Sequence, residues 1–303
     1  MESQERINEL IKLYKECFQD NDGIVTHLFN QKLGTHNAIT RILDEQIKGA
    51  LYILNKRMSY MGQSIIYPFI VAVGVNKSER GKGIAKEILQ KAFEKCYKEK
   101  RSFIGLYPAI NNFYEKLQFT FITKETKLNT EWLTFEQTQD KNQILAIYNQ
   151  SVKQLDFFYQ RKDKELQERL NEVYADGGKI ELIYRQDNVV GYRLAEGEEY
   201  ILDNQINFDS KGEPINGHMA RIINLEEAFA LTRVTIPFAF SVKDDFIAEN
   251  NLKIKVERGK IEKVNDALIQ IDIAELTALF FGADVSQEIK ERFAPYFPSP
   301  KGQ

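Results

Sequence analysis

At roughly 100–200 residues per unit, a chain of 303 residues holds two or three compact domains. Its 41 basic and 44 acidic side chains leave a net charge of −3, which excludes the overall basic footprint of a nucleic-acid-binding protein. No apolar run reaches the ~18 residues of a membrane helix, and Met1-Glu-Ser-Gln-Glu-Arg6 lacks the apolar core of a secretion signal. Two cysteines, Cys17 and Cys96, are too few for a disulfide framework or a zinc site. The expectation is a cytoplasmic, metal-free protein with no membrane or nucleic-acid partner.

In chain order, Ile7, Leu10, Ile11, Tyr14 and Cys17 recur at three and four residues and predict a helix over 4–18. Asp20 and Asp22 come after it in a solvated loop. Residues 38–43, 47–54 and 65–75 read as strands, the last containing Pro68, which points to an edge or a bulge. The apolar stripe from Ile84 to Tyr97 predicts a helix over 84–98. A strand at 103–107, a short helix at 112–116 and a strand at 119–122 close this unit. Two helices around 144–155 and 166–174 come next, with Gly177-Gly178 ending the second. Residues 180–184 and 189–194 form a hairpin across Gln186-Asp187-Asn188. Polar residues 204–217 are the linker candidate. A strand at 220–224, a helix at 225–231, strands at 236–242, 252–257 and 268–273, and a helix at 274–281 make a small α+β layer. The Pro-rich tail, 295–303, cannot be helical.

The informative stretch is Val73-Gly-Val-Asn-Lys-Ser-Glu-Arg-Gly-Lys-Gly-Ile-Ala85, which joins the apolar strand to the amphipathic helix. Gly81 and Gly83 stand where the chain turns into that helix and permit positive φ. The first helix amides have no internal acceptor, and the helix dipole adds positive potential there, so the junction suits a phosphate or pyrophosphate. Nine basic and four acidic residues between Asn76 and Arg101 make the segment +5 within a chain of net −3. The competing account is a glycine-bearing turn before a helix with an ordinary charged face. A Walker loop is absent, and Gly81-Lys-Gly83 supplies only two of the three glycines of a dinucleotide fingerprint.

The segment Arg80-Gly-Lys-Gly83-Ile-Ala85 resembles the acetyl-CoA pyrophosphate loop, Arg/Gln-x-x-Gly-x-Gly/Ala, of the GNAT superfamily of N-acetyltransferases. Phe113-Tyr-Glu-Lys-Leu-Gln-Phe119 is similar to that superfamily's Phe-Tyr-x-x-x-Gly-Phe segment, with Gln118 where glycine is common. The helix pair with Val189-Val-Gly-Tyr192 resembles a degenerate second GNAT unit. Met219–Asn224 and Asp272–Gly282 resemble a sterol-carrier-protein-like domain. The three together are the order of Eis-type (enhanced intracellular survival) acetyltransferases, in a shortened form. The resemblance implies an α/β (α+β) fold in three parts: a GNAT domain with a mixed sheet over 1–123, a degenerate GNAT-like unit over 124–210, and a sterol-carrier-like α+β domain with its tail over 211–303.

It further implies an acetyl-CoA-dependent N-acetyltransferase acting on a primary amine, either a small molecule such as an aminoglycoside or polyamine, or a protein lysine, and assembled as a homo-oligomer. Val73, Gly74 and Val75 would hold the pantetheine and polarise the thioester carbonyl, and Arg80, Gly81, Lys82, Gly83, Ile84 and Ala85 the pyrophosphate. Tyr114 would act as general acid. The terminal carboxylate, here on Gln303, would be the base. His27, His36 and His218 are scattered and read as surface or satisfied polar residues. Asp20 and Asp22 could instead line an amine-binding mouth. The alternative function is a non-catalytic protein that binds an acyl-CoA or a lipid as a sensor.

Overall fold

The computed structural model describes residues 2–110, 112–125, 133–194, 199–202, 215–232, 234, 236–293 and 296–297. The chain opens with α1 (Glu2–Cys17), α2 (Asp22–Gln31), β1 (Ala38–Leu43), β2 (Gln46–Tyr60), β3 (Gln63–Val75), α3 (Ile84–Lys98), β4 (Phe103–Leu106), β5 (Thr120–Phe121) and β6 (Lys124–Glu125). The middle holds β7 (Thr134–Gln137), α4 (Lys141–Ser151), β8 (Phe157–Tyr159), α5 (Asp163–Ala175), β9 (Ile180–Arg185), β10 (Asn188–Leu194) and β11 (Glu199–Leu202). The last part holds β12 (Ile215–Asn216), β13 (Met219–Ile222), α6 (Leu225–Ala230), β14 (Phe238–Lys243), β15 (Lys253–Glu257), β16 (Lys260–Lys263), β17 (Gln270–Asp272), α7 (Ile273–Phe281) and α8 (Gln287–Phe293).

Helix α2 replaces the loop expected after α1. Its signal is Asn21, whose side chain accepts from the Ile24 amide as an N-cap, and it buries Ile24 and Val25. The short helix expected at 112–116 is a 3₁₀ turn over Glu115–Leu117. Strand β16 and helix α8 are additions that the sequence pattern did not predict. The β9–β10 hairpin turns through Gln186 and Asp187, both at positive φ (48° and 59°), the two-residue geometry that matches strand twist.

The main sheet runs β1-β2-β3-β4-β13-β5, with β8 also paired to β2. Strand β3 is therefore central, not an edge. Pro68 lies opposite Asn55 of β2, one residue before the parallel pairing with β4 begins at Phe69. The irregularity comes four residues later. Ala50 pairs with Gly74 and Tyr52 with Val71, so Ala72 and Val73 together oppose Leu51, and Ala72 takes φ 51°. This is a bulge, which bends the strand and re-aims Val73 to Val75.

Strand β13 was expected to open the third unit. It instead lies antiparallel between β4 and β5, completing the first sheet, so hydrogen bonding crosses the expected 210/211 division. Its four residues are all buried, including Arg221. Covered on both faces, the strand reads as an unbroken apolar run interrupted by one cation, with no alternation to reveal its place.

One face of the main sheet packs on α3 through Ile70, Ile104, Leu106, Ile88, Leu89 and Phe93. The opposite face, with Tyr60, Tyr67, Phe69 and Phe103, is continuous with the core of the last part, including Phe229, Phe240, Phe280 and Phe293. Helices α4 and α5 cover the separate sheet β11-β10-β9-β7. The sheet β16-β15-β14-β17 closes the chain's last unit.

Two contacts fasten that unit to the first. Arg221, fully buried, donates from Nη2 to Asp244 Oδ1 at 2.5 Å, from Nε to the Leu117 carbonyl at 3.1 Å and from Nη1 to the Ile222 carbonyl at 2.8 Å. Gln118, at φ 60°, donates from Nε2 to Asp272 Oδ2 at 2.6 Å and accepts from the Asp245 amide at 2.9 Å.

Candidate active site

The loop after β3 is held by a clasp that no sequence motif announces. Glu16, at the end of α1, accepts from the Lys77 amide at 2.7 Å and from Asn76 Nδ2 at 2.9 Å. Asn76 in turn caps a 3₁₀ turn over Lys77–Glu79. Arg80 folds back, its Nε donating to the Val75 carbonyl at 3.1 Å. Gly81 and Gly83 take φ 79° and 83°, and a Cβ on either would meet nothing within 4 Å, so the chain turns there against open space.

Helix α3 then starts at Ile84. Among the described residues, the amides of Gly81, Lys82, Gly83, Ile84, Ala85 and Lys86 have no hydrogen-bond acceptor. The first satisfied amide is that of Glu87, donating to the Gly83 carbonyl at 3.0 Å. Six consecutive N–H groups at the positive end of a 15-residue helix form an anion cradle. The charge surplus read from the sequence is partly offset, because Lys82 pairs with Glu79, Lys91 with Glu87 and Arg101 with Glu99.

Beside the cradle the sheet parts. Strands β3 and β4 pair only through Phe69–Gly105 and Ile70–Leu106, so Val71 to Val75 have no strand on that side among the described residues. Val73, Gly74, Val75 and residues 80–85, expected to share one ligand, thus lie on one continuous edge that runs from the parting of the strands to the helix start. Cys17 backs this edge: its Sγ donates to the Val75 carbonyl at 3.5 Å and lies 3.0 Å from where a Cβ on Gly74 would stand.

Tyr114 lies on the α3 face of the sheet, with its ring against Phe113 and Phe119. Burial pushes its hydroxyl up to about 12. The hydroxyl has no hydrogen-bond partner among the described residues, yet it is not one of the sealed polar atoms, which are His27 Nε2 and Glu165 Oε2. Gln303, the expected base, lies outside the described residues. Asp20 accepts from the Tyr14 hydroxyl at 2.5 Å, and Asp22 is ion-paired to Lys15 at 2.6 Å as the first residue of α2.

The opposite face of the parting holds residues the sequence left scattered. His218 is 3% exposed and lies between the rings of Tyr107 and Tyr159, at 5.3 and 5.6 Å, with Phe69 edge-on at 5.2 Å. Its Nε2 is 3.0 Å from the Tyr159 hydroxyl and 3.3 Å from that of Tyr67. Burial, reinforced by the nearby Lys56 charge, pulls the imidazole down to about 3, so it is neutral at pH 7. The Lys56 Nζ stands 3.8 Å from the Phe69 ring centre and 4.7 Å from that of Tyr159. These residues come from β2, β3, β8 and the approach to β13, and no local spacing links them.

Comparison with known proteins agrees with this geometry. Residues 3–122 match the family model described as an acetyltransferase (GNAT) domain, and residues 225–291 match the sterol carrier protein domain. The chain is therefore a GNAT acetyltransferase-domain protein, and the matched family supports acyl transfer as its class of reaction. More particularly, its architecture is that of the Eis type, a GNAT domain followed by a sterol-carrier-like domain. In fold it is similar to a probable N-acyltransferase from Enterococcus faecalis, at 16% identity and TM-score 0.76, covering 99% of this chain and 97% of that one. It is also similar to a GCN5-related N-acetyltransferase from Anabaena variabilis, at 18% identity and TM-score 0.70 over 99% and 97%. An Eis protein from Mycobacterium abscessus aligns at 11% identity and TM-score 0.70 over 99% and 92%. No curated protein matches the chain.

Proposed function

We propose that this protein transfers an acetyl group from acetyl-CoA to a primary amine, carried by a small molecule or by a protein lysine. The observation that carries the reading is the run of six unpartnered amides from Gly81 to Lys86, continuous with the unpaired edge of β3. A diphosphate satisfies the amides at the helix start, and an extended pantetheine arm satisfies the strand edge at Val73, Gly74 and Val75. Gly81 and Gly83 leave the space a phosphate needs.

The chemistry stems from that placement. A neutral amine attacks the thioester carbonyl, and negative charge gathers on its oxygen and then on the departing sulfur. Strand-edge N–H groups pointing into the parting stabilise the first charge, as in an oxyanion hole. Tyr114, whose raised value keeps its proton at neutral pH, donates to the sulfur.

The test uses two measurements. Excess acetyl-CoA raises the melting temperature of wild type and of Tyr114→Phe alike. Thiol release with a panel of primary amines falls about a hundredfold in Tyr114→Phe, the lower range for loss of a general acid. A protein that shows the shift but frees no thiol with any amine is an acyl-CoA sensor. Absence of any shift refutes acetyl-CoA as the ligand.

A further inference from the structure

We propose that Lys56 is itself an acceptor, so that the protein acetylates its own β2 strand; this rests on the acetyl-CoA reading above. Lys56 pairs opposite Tyr67 across β2 and β3, and its side chain runs on the same face along the strand. Its Nζ does not point to open solvent. It stands over Phe69, 3.8 Å from the ring centre, with Tyr159 at 4.7 Å on the other side. Phe69 belongs to the last closed rungs of the sheet, since β3 and β4 pair only at Phe69–Gly105 and Ile70–Leu106. Val71, two positions on and about 6.6 Å away along a strand, already borders the parting. A lysine on a flexible four-carbon stem spans that distance by rotating forward over the Phe69 ring.

The two faces meet only through the parting. Tyr114 packs on the α3 side with Ile70 and Leu106, whereas Lys56, Phe69, Tyr159 and His218 are on the other. A thioester lying in the parting therefore presents its sulfur toward the phenol and its carbonyl carbon toward the lysine. In the step, neutral Nζ attacks the carbonyl carbon and a C–N bond forms. The C–S bond then breaks, the amine's surplus proton passes to water, and the Tyr114 proton goes to the thiolate, to be replaced from solvent. Acetyl-CoA and lysine become CoA and acetyl-lysine, with no oxidant or further reactant. The acetylated side chain has no charge, so the cation–π contacts that hold it over Phe69 and Tyr159 are lost.

The full-length protein incubated with acetyl-CoA and no amine tests this. Peptide mass spectrometry should find one acetyl group on Lys56, formed at least about tenfold faster than on exposed Lys164, because an acceptor held beside the thioester reacts intramolecularly. The rate per chain should not change with protein concentration. Tyr114→Phe should slow Lys56 labelling about a hundredfold and leave Lys164 labelling unchanged. Lys56→Arg, which keeps the cation over the rings, should abolish the amine-independent release of one thiol per chain and retain the acetyl-CoA thermal shift. Lys56 unlabelled, or labelled no faster than Lys164, in a protein that still shows the shift overturns the proposal and leaves the acetyl-CoA reading standing. Loss of the shift overturns both.

Discussion

Two regions of the molecule treat their hydrogen-bonding groups in opposite ways. At the seam between the first and last units, Arg221 has an acceptor for each of its three nitrogens, and Asp244 accepts from Arg221, the Phe246 and Ile247 amides and Asn250 Nδ2. Both side chains are fully buried. In the loop before α3, six amides in a row have no partner among the described residues. A buried polar group left unmade costs about 1–3 kcal/mol, so the seam can tolerate no vacancy. The loop's donors face open space, where water satisfies them until a ligand replaces it. Full satisfaction marks the seam as structural, and spare donors on a rigid support mark the loop as a site.

The largest expected effect is at the seam. Arg221→Met strands the Asp244 carboxylate in the interior and should cost about 3–5 kcal/mol, read as a fall in the urea midpoint, whereas Arg221→Met with Asp244→Leu should recover most of it. Recovery is the decisive feature, because an apolar pair can replace a buried ion pair and a lone charge cannot. The second effect is at the loop. Gly83→Val forces a β-branched side chain to φ 83° and puts it where the cradle is open. Acetyl-CoA affinity should fall about a hundredfold by calorimetry, with the strain itself costing about 1–3 kcal/mol of stability. A variant that binds normally would show that the spare amides hold nothing.

A third effect is one of pH. His218 is held down to about 3 inside the fold against about 6.5 in an unfolded chain, so between these values the unfolded state binds more protons. Its contribution to stability is present above pH 6.5 and is lost as pH falls toward 3. Between pH 6.5 and 5 that loss is about 2 kcal/mol, at 1.36 kcal/mol per pH unit. His218→Phe, among rings already, should flatten the fall of melting temperature over that window. An unchanged slope would mean that the imidazole is not sealed among Tyr67, Tyr107 and Tyr159.

Local signals were legible and long-range ones were not. Helix α3 spans 84–98 as its apolar stripe predicts, and Gly81 and Gly83 take the positive φ that the turn demanded, because both depend on neighbours in sequence. The bulge at Ala72 was out of reach, since a bulge is a mismatch between two strands and appears in neither alone. Pro68 drew attention to the right strand and the wrong residue. Strand β13 was legible as a strand, but its partners β4 and β5 lie about a hundred residues away. The face with His218, Tyr159 and Lys56 was hidden for the same reason, and Glu16 gave no sign because a clasp from α1 to Asn76 and Lys77 has no spacing rule.

The smallest effect concerns the one residue that departs from the Phe-Tyr-x-x-x-Gly-Phe pattern. Gln118 stands at φ 60°, a conformation glycine adopts freely and which costs another residue about 1 kcal/mol. The strain persists because the side chain reaches across the seam to Asp272 Oδ2 and the Asp245 amide. A hydrogen bond to a charged acceptor contributes about 1.5–3 kcal/mol, so the two bonds outweigh the strain. Gln118→Gly should therefore lower stability by about 1 kcal/mol, a shift of roughly 2 °C for a chain of this size, although it restores the residue common in the pattern. Its acetyl-CoA thermal shift should match wild type, because the turn itself suits glycine. If the variant instead melts higher than wild type, strain relief exceeds both bonds, and the fastening of the last unit rests on Arg221 and Asp244 without help from Gln118.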